Sequence, residues 1–205
     1  PIGRYNDQIG STSIDQCTIC STGKYNDQNA RTDVSDCHDC ATGKYNDVNT
    51  GVATCKECAT GRYNDQTGAT AASQCKACAA GKYNDHPGQT GTHACKNCDY
   101  DKGAVAGSTT CTRFSPVDRA ALKTQVDACI MEQSSGVCTL HAQVYAEIEY
   151  WDVSRVTDMQ QMFLGKTAFN ANIEPWDVSK VANMYEMFRG AAQFNRQISN
   201  WQVGN

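Results

Sequence analysis

The chain has 205 residues, a formal charge of −4 and 40% apolar residues. Its charges of both signs are interspersed, so there is no basic stripe for a phosphate backbone and nucleic acid is excluded as a partner class. No apolar run reaches the ~20 residues needed to span a bilayer, so no direct membrane span is expected in this segment.

From Pro1 to Cys111 the large aliphatics are Ile2, Ile9, Ile14, Ile19, Val34, Val48, Val52 and Val105, with no Leu, Met, Phe or Trp. Such a stretch cannot bury an ordinary core. It does hold 11 of the 13 cysteines, which implies covalent cross-linking in an oxidising, extracellular compartment. A start at Pro1, without Met or a signal-peptide pattern, reads as a processed or partial product.

The motif Gly-[Lys/Arg]-Tyr-Asn-Asp begins at Gly3, Gly23, Gly43, Gly61 and Gly81, a period of about 20 residues. Each copy is followed by a polar stretch and a Cys-x-x-Cys pair: Cys17/Cys20, Cys37/Cys40, Cys55/Cys58, Cys75/Cys78 and Cys95/Cys98. The glycine can take the positive φ of a tight reversal, and Asn-Asp supplies turn caps. Spacing suggests that the second Cys of each pair joins the first of the next: Cys20–Cys37, Cys40–Cys55, Cys58–Cys75, Cys78–Cys95 and Cys98–Cys111. Each such loop contributes about 3 kcal/mol in the chain-entropy model. Cys17 is then left unpaired or intermolecular, and the register places its partner just ahead of Pro1. Zinc-ribbon ligation is the competing use of these pairs, but 11 thiols do not divide into sets of four. A redox Cys-x-x-Cys would open a helix in a βαβ unit, and no such unit is visible.

The Cys-x-x-Cys-x-x-Gly-x-Tyr pattern, as in Cys37 to Tyr45 and Cys55 to Tyr63, resembles the ephrin-receptor-like and tumour-necrosis-factor-receptor-like cysteine-rich repeats. The resemblance covers residues 1–111. It implies small, mostly irregular β modules in an elongated ectodomain stalk or protein-binding surface.

After Cys111, Ser115-Pro116-Val117-Asp118 reads as a helix start with Ser115 as N-cap. Leu122, Val126, Cys129 and Ile130 form one apolar face, Ser134-Ser135-Gly136 ends the helix, and Cys138 can bridge back to Cys129. A second repeat follows, with Trp151, Trp176 and Trp201 spaced 25 residues apart. Asp152-Val153-Ser154 recurs as Asp177-Val178-Ser179, Met162-Phe163 as Met187-Phe188, and Phe169-Asn170 as Phe194-Asn195. A period in this range with apolar positions in register predicts a short leucine-rich-type solenoid whose aromatic and Met stripes are core.

The Trp-Asp-Val-Ser-x-Val-x-x-Met-x-x-Met-Phe pattern resembles the BspA-type leucine-rich repeat surface proteins over residues 115–205. That resemblance implies a cell-surface or secreted protein engaged in adhesion and protein binding, with residues 115–138 as the N-terminal cap. The expected organisation is cysteine-rich repeats over 1–111, a helical cap and linker over 112–149, and leucine-rich repeats over 150–205, incomplete at the C-terminus. The third turn stops at Asn205, so an open apolar end is expected, covered by further chain or by another copy stacking head to tail into a filament.

No catalytic motif, cofactor site or metal site is expected. His38, His86, His93 and His141 share no spacing and read as solvated loop positions. The repeated Asp7, Asp27, Asp47, Asp65 and Asp85 read as turn caps paired with the Lys or Arg three residues earlier, in preference to a calcium ladder. There is no Asn-x-Ser/Thr sequon, so any glycan is O-linked, with Thr50, Thr67, Thr70, Thr90 and Thr92 as candidates. The reading is a non-catalytic extracellular structural or adhesive protein, with copies of itself or other extracellular proteins or glycans as partners. The alternative is a ligand-binding ectodomain of a receptor or adhesin.

Overall fold

A computed structural model describes residues 1–10 and 13–203. The chain divides into two units: Pro1–Ala79, Tyr83–Lys96 and Ala106–Thr109 in one, and Ala80–Lys82, Asn97–Val105 and Thr110–Asn205 in the other. The division therefore runs through the fifth cysteine repeat.

In the first unit each repeat opens on a left-handed glycine. Gly43 and Gly61 both have φ 78°. A Cβ there would lie 2.1 Å from the Gly88 carbonyl oxygen and 2.0 Å from that of Gly107, so both the backbone angle and the close approach demand glycine. Two-residue strands follow. Arg4–Tyr5, Lys24–Tyr25, Lys44–Tyr45 and Arg62–Tyr63 pair antiparallel with Thr18–Ile19, His38–Asp39, Lys56–Glu57 and Lys76–Ala77. Short 3₁₀ turns precede the first Cys of four pairs, at Ile14–Gln16, Val34–Asp36, Ala72–Gln74 and Thr92–Ala94. Ahead of Cys55 there is none. The Cys40–Cys55 loop has a separation of 15, against 17 for Cys20–Cys37 and Cys58–Cys75, and the two missing residues are taken from this turn.

The interior of this unit is made of sulfur and amide groups. Cys20, Cys37, Cys40, Cys58, Cys75, Cys78 and Cys95 are buried, together with Asn26, Asn46, Asn64 and Asn84. These asparagines do more than cap a turn. Each one's backbone carbonyl accepts from the glycine N–H of the preceding repeat: Gly3, Gly23, Gly43 and Gly61 donate to Asn26, Asn46, Asn64 and Asn84 at 2.7, 2.8, 2.7 and 2.7 Å. Each Nδ2 donates to the backbone carbonyl of Arg4, Lys24, Lys44 or Arg62, also one repeat back, at 2.8–3.3 Å. Each Oδ1 accepts from the N–H two residues on. Each backbone N–H reaches a loop carbonyl of the next repeat, at Val52, Ala69, Gln89 or Ser108. One residue thus ties three repeats together, with both ends of its buried amide engaged.

The second unit holds the apolar core. Helix α1 (Arg119–Glu132) buries Leu122, Val126 and Cys129. Its N-cap is Asp118, which accepts from the Ala121 N–H at 2.8 Å. Ser115, expected in that role, instead donates its hydroxyl to Asp152 at 3.1 Å. The helix begins three residues later than expected, because the Asp118 carboxylate lies within reach of the first-turn donors. A second helix, α2 (Thr139–Tyr145), lies in the stretch expected to be cap and linker. Its N-terminus is capped from afar: Glu132, at the end of α1, accepts from Leu140 N–H at 2.6 Å, His141 N–H at 2.8 Å and the Thr139 hydroxyl at 3.3 Å.

Beyond α2 the two 25-residue turns lie one on the other. Met159, Gln161, Phe163 and Gly165 donate their N–H groups to the carbonyls of Asn183, Tyr185, Met187 and Arg189, at 2.8–2.9 Å. Phe163 stacks on Phe188 at 5.4 Å and Phe169 on Phe194 at 5.6 Å. The indole N–H of Trp176 donates to the Ile148 carbonyl at 2.8 Å, and that of Trp201 to Ile173 at 3.1 Å. The expected strand ladder of a leucine-rich solenoid is absent among the described residues, where one parallel bridge, Asp158↔Asn183, joins the turns. Gln161 and Glu186 explain this: both sit in the left-handed region, at φ 55° and 52°, and break any extended run.

Two stability measurements test these assignments. Asn64→Ala should lower unfolding free energy by about 1–3 kcal/mol, while Asp65→Ala, one residue away but exposed, should leave the urea midpoint almost unchanged. Phe163→Ala, in the fully buried ring column, should cost about 3–5 kcal/mol, well above the loss from Phe194→Ala on the half-exposed second turn.

Candidate functional site

Six disulfides join Cys20–Cys37, Cys40–Cys55, Cys58–Cys75, Cys78–Cys95, Cys98–Cys111 and Cys129–Cys138. Cys17 is the one free cysteine among the described residues and is half-buried. Thr50, Thr67, Thr70, Thr90 and Thr92 are all exposed.

On the outside of the cysteine repeats three of the five repeated aspartates form ion pairs, and none of the three pairs with the basic residue three positions earlier. Asp47, Asp65 and Asp85 bind Lys56, Lys76 and Lys96 at 2.6, 2.8 and 2.9 Å. The strand pairing sets this choice. Lys56 and Lys76 stand opposite Tyr45 and Tyr63, beside the Asp two residues further on, while Lys24 and Lys44 turn to Asp39 and Glu57 across their own hairpins. Lys56 and Lys96 also lie 5.9 and 5.5 Å from the ring centres of Tyr45 and Tyr83. The Lys96 ammonium, followed by His86, pushes the Asp85 carboxyl down to about 2. These groups are solvent-exposed, so the row defines a surface pattern and adds little to stability.

Among the histidines, His38, His86 and His93 are exposed, and His86 bonds Asp85 at 2.6 Å. His141 departs from its expected place in a solvated loop. It lies in α2, with its ring 4.8 Å from Tyr145 and 6.0 Å from Trp151. Burial pushes its imidazole down from 6.5, and the Glu132 charge only partly offsets that. The described residues contain no group of three or more His, Cys, Asp or Glu able to hold a metal ion, and no helix long and apolar enough to cross a membrane.

A cleft of about 480 Å³ opens in the second unit where the α1–α2 connection meets the first turn. Val137, Ala142, Ile148 and Ala171 give it apolar walls, and Glu147, Glu149 and Arg196 line its polar side. The Cys129–Cys138 bridge and the Glu132 cap hold the connection in place. Glu149 accepts from Asn172 Nδ2 at 2.8 Å, and Arg196 is anchored through Nε to the Asn170 carbonyl at 2.8 Å. Among the described residues neither Glu147 nor Glu149 has a cation partner. Interaction with the Glu149 carboxylate first, and desolvation second, pushes the Tyr150 phenol up to about 12.

Sequence reading missed the asparagine ladder, the Glu132 cap and the cleft. The ladder had a signal, an Asn at the same place in repeat after repeat, but that pattern is equally compatible with an exposed turn. The cap and the cleft join residues far apart in sequence and leave no periodic trace.

Residues 23–75 match the family described as "Tyrosine-protein kinase ephrin type A/B receptor-like". Residues 131–205 match the family described as "Mycoplasma protein of unknown function, DUF285". No curated protein matches the chain. The two matches fall on the two kinds of repeat, the first on the disulfide-linked array and the second on the end of α1, α2 and the stacked tryptophan turns.

Replacing the carboxylate tests the geometry of the cleft. In Glu149→Gln the Tyr150 phenol should titrate lower, toward 10.0, by tyrosine-selective NMR, while the other tyrosine titrations stay in place.

Proposed function

We propose that this chain is a non-catalytic extracellular module with a structural or adhesive role, built to present a long polar surface on a covalently stapled frame. The observation that carries this reading is the interior of the first unit, where buried cystines and asparagines replace apolar side chains. Such an interior holds only where thiols remain oxidised. The similarity of residues 23–75 to an ephrin-receptor-like family supports an extracellular setting. The exposed threonines between the cysteines are the proposed O-glycan acceptors.

The sharper form of the reading is assembly into a fibre. Support comes from the second turn, whose outer side presents Met184, Met187, Phe188 and Trp201 around a recess of about 420 Å³. Head-to-tail docking would have to use some surface other than the first turn. α1 already occupies that turn's inner side, through the shared core and the Arg119 Nε bond to the Gln160 carbonyl at 2.8 Å. The second reading, a ligand-binding ectodomain, is favoured by the cleft beside Cys138. Its apolar walls suit an aliphatic stem and its two carboxylates a cationic head. Its lining has no aromatic platform for a sugar ring, so a Lys or Arg side chain of a protein partner fits it best.

Non-reducing peptide mapping of the secreted chain, together with sedimentation and electron microscopy over a concentration series, tests the proposal. The expected result is six bridges in the pairing above, insensitivity to chelators and loss of structure in reductant. Reduced thiols with chelator-sensitive folding would overturn the extracellular reading. Particles that stay monomeric at every concentration would overturn fibre assembly and leave the ligand-binding reading.

A further inference from the structure

His141 Nε2 is the one buried side-chain nitrogen or oxygen without a hydrogen-bond partner among the described residues. The ring lies against Tyr145 and Trp151, and Phe114 closes the same aromatic layer at 5.1 Å from Tyr145 and 5.0 Å from Trp151. From α1 the charged group facing it is Glu132, and from its own helix the Tyr145 phenol. Phe114 and Trp151 contribute uncharged rings. Glu132 does not serve Nε2: its oxygens accept from Thr139, Leu140 and the His141 backbone instead. A neutral imidazole tolerates this site. An imidazolium on this half-buried ring would carry an unmet donor at Nε2, cut off from water, and ring faces only partly compensate that loss.

The helix that carries His141 is weakly held. α2 has seven residues and no fully buried side chain. Its cap is the remote Glu132, and it ends at Ala146 in the left-handed region with φ 64°. It also bears two further contacts. The Gln143 carbonyl accepts from the Ala104 N–H at 3.1 Å, and the Ala146 carbonyl accepts from the Trp151 indole at 3.2 Å. Gly103 lies so close that a Cβ would fall 2.1 Å from the Val144 carbonyl oxygen.

We propose that His141 makes α2 an acid-sensitive latch: protonation expels the ring from the aromatic layer and frees the helix from Trp151 and from the Gly103–Ala104 segment, while the stacked turns and the disulfides stay in place. The sign follows from linkage. The imidazole binds its proton less well in the folded chain than at its ordinary 6.5, so below that pH the released state holds more protons and the latch weakens as pH falls. Protonation of Glu132 is a separate event at lower pH. Burial pushes its carboxyl up, but the N–H donors of Leu140 and His141 outweigh that and hold it below 4.5.

Hydrogen exchange read by mass spectrometry at pH 7.5 and 5.5, corrected for intrinsic rates, tests the latch on the intact oxidised chain. Protection over 139–146 and 103–104 should fall about tenfold for each pH unit below the imidazole's ordinary value until the folded-state value is reached. Protection in the stacked turns over 159–165 should hold. His141→Phe, which keeps a ring but cannot take the proton, should abolish the acid response. His141→Gln, neutral and smaller, covers the case in which the phenylalanine does not fit. Equal protection of the native chain at both pH values, or the same acid loss in a folded variant, overturns the proposal.

Discussion

The burial of a primary amide in four of the five cysteine repeats is the constraint on which the first unit depends. A segment with few large apolar side chains has little hydrophobic free energy with which to oppose chain entropy. The disulfides reduce the entropy to be overcome, but a cross-link alone does not choose one conformation. The asparagines make that choice. Asn46, for example, is 1% exposed and bonds backbone of the repeat before it, its own and the one after. Removing water from an amide is costly unless its donors and acceptors find partners, so only one register of the repeats is tolerated.

The second unit reaches the same end by ordinary means. Its Phe and Trp rings and Met159, Met162, Met184 and Met187 pack in one cluster that runs from α1 through the first turn to the second. Here too a polar atom fixes the register. The indole N–H of each Trp is aimed at a main-chain carbonyl: Ala146 for Trp151, Ile148 for Trp176 and Ile173 for Trp201. Hydrophobic burial is non-directional, so these directed bonds are what place one turn over the next without slippage. The Ala146 contact at the start of the series is made by a residue in a strained conformation, at the end of the same short helix that carries His141.

The two units distribute charge differently over their surfaces. Along the cysteine repeats the Asp–Lys pairs neutralise each other locally, so the surface is polar but carries little field. Around the cleft of the second unit Glu147 and Glu149 form no ion pair among the described residues, and Arg196, anchored through Nε to the Asn170 carbonyl, shares the lining as a cation. Charge is thus paired in a regular row on one unit and left without ion pairs around a cleft on the other.

The sequence by itself determined the two repeat periods, the left-handed glycines, the apolar face of α1 and the tryptophan, Met and Phe stripes. Each of these is a local or periodic property, legible because chain geometry forces the same residue type back to the same place. Only the tertiary structure decided which residue capped each helix, which Lys each Asp chose and what each repeated Asn was for. Asp118 displaced Ser115 because its carboxylate reached the first-turn donors, and Glu132 capped α2 across a turn that has no period. The left-handed Gln161 and Glu186 left one bridge where a strand ladder was expected. His141 read as a loop residue because the rings that bury it come from Phe114, Tyr145 and Trp151, positions whose proximity depends on the completed packing of α2.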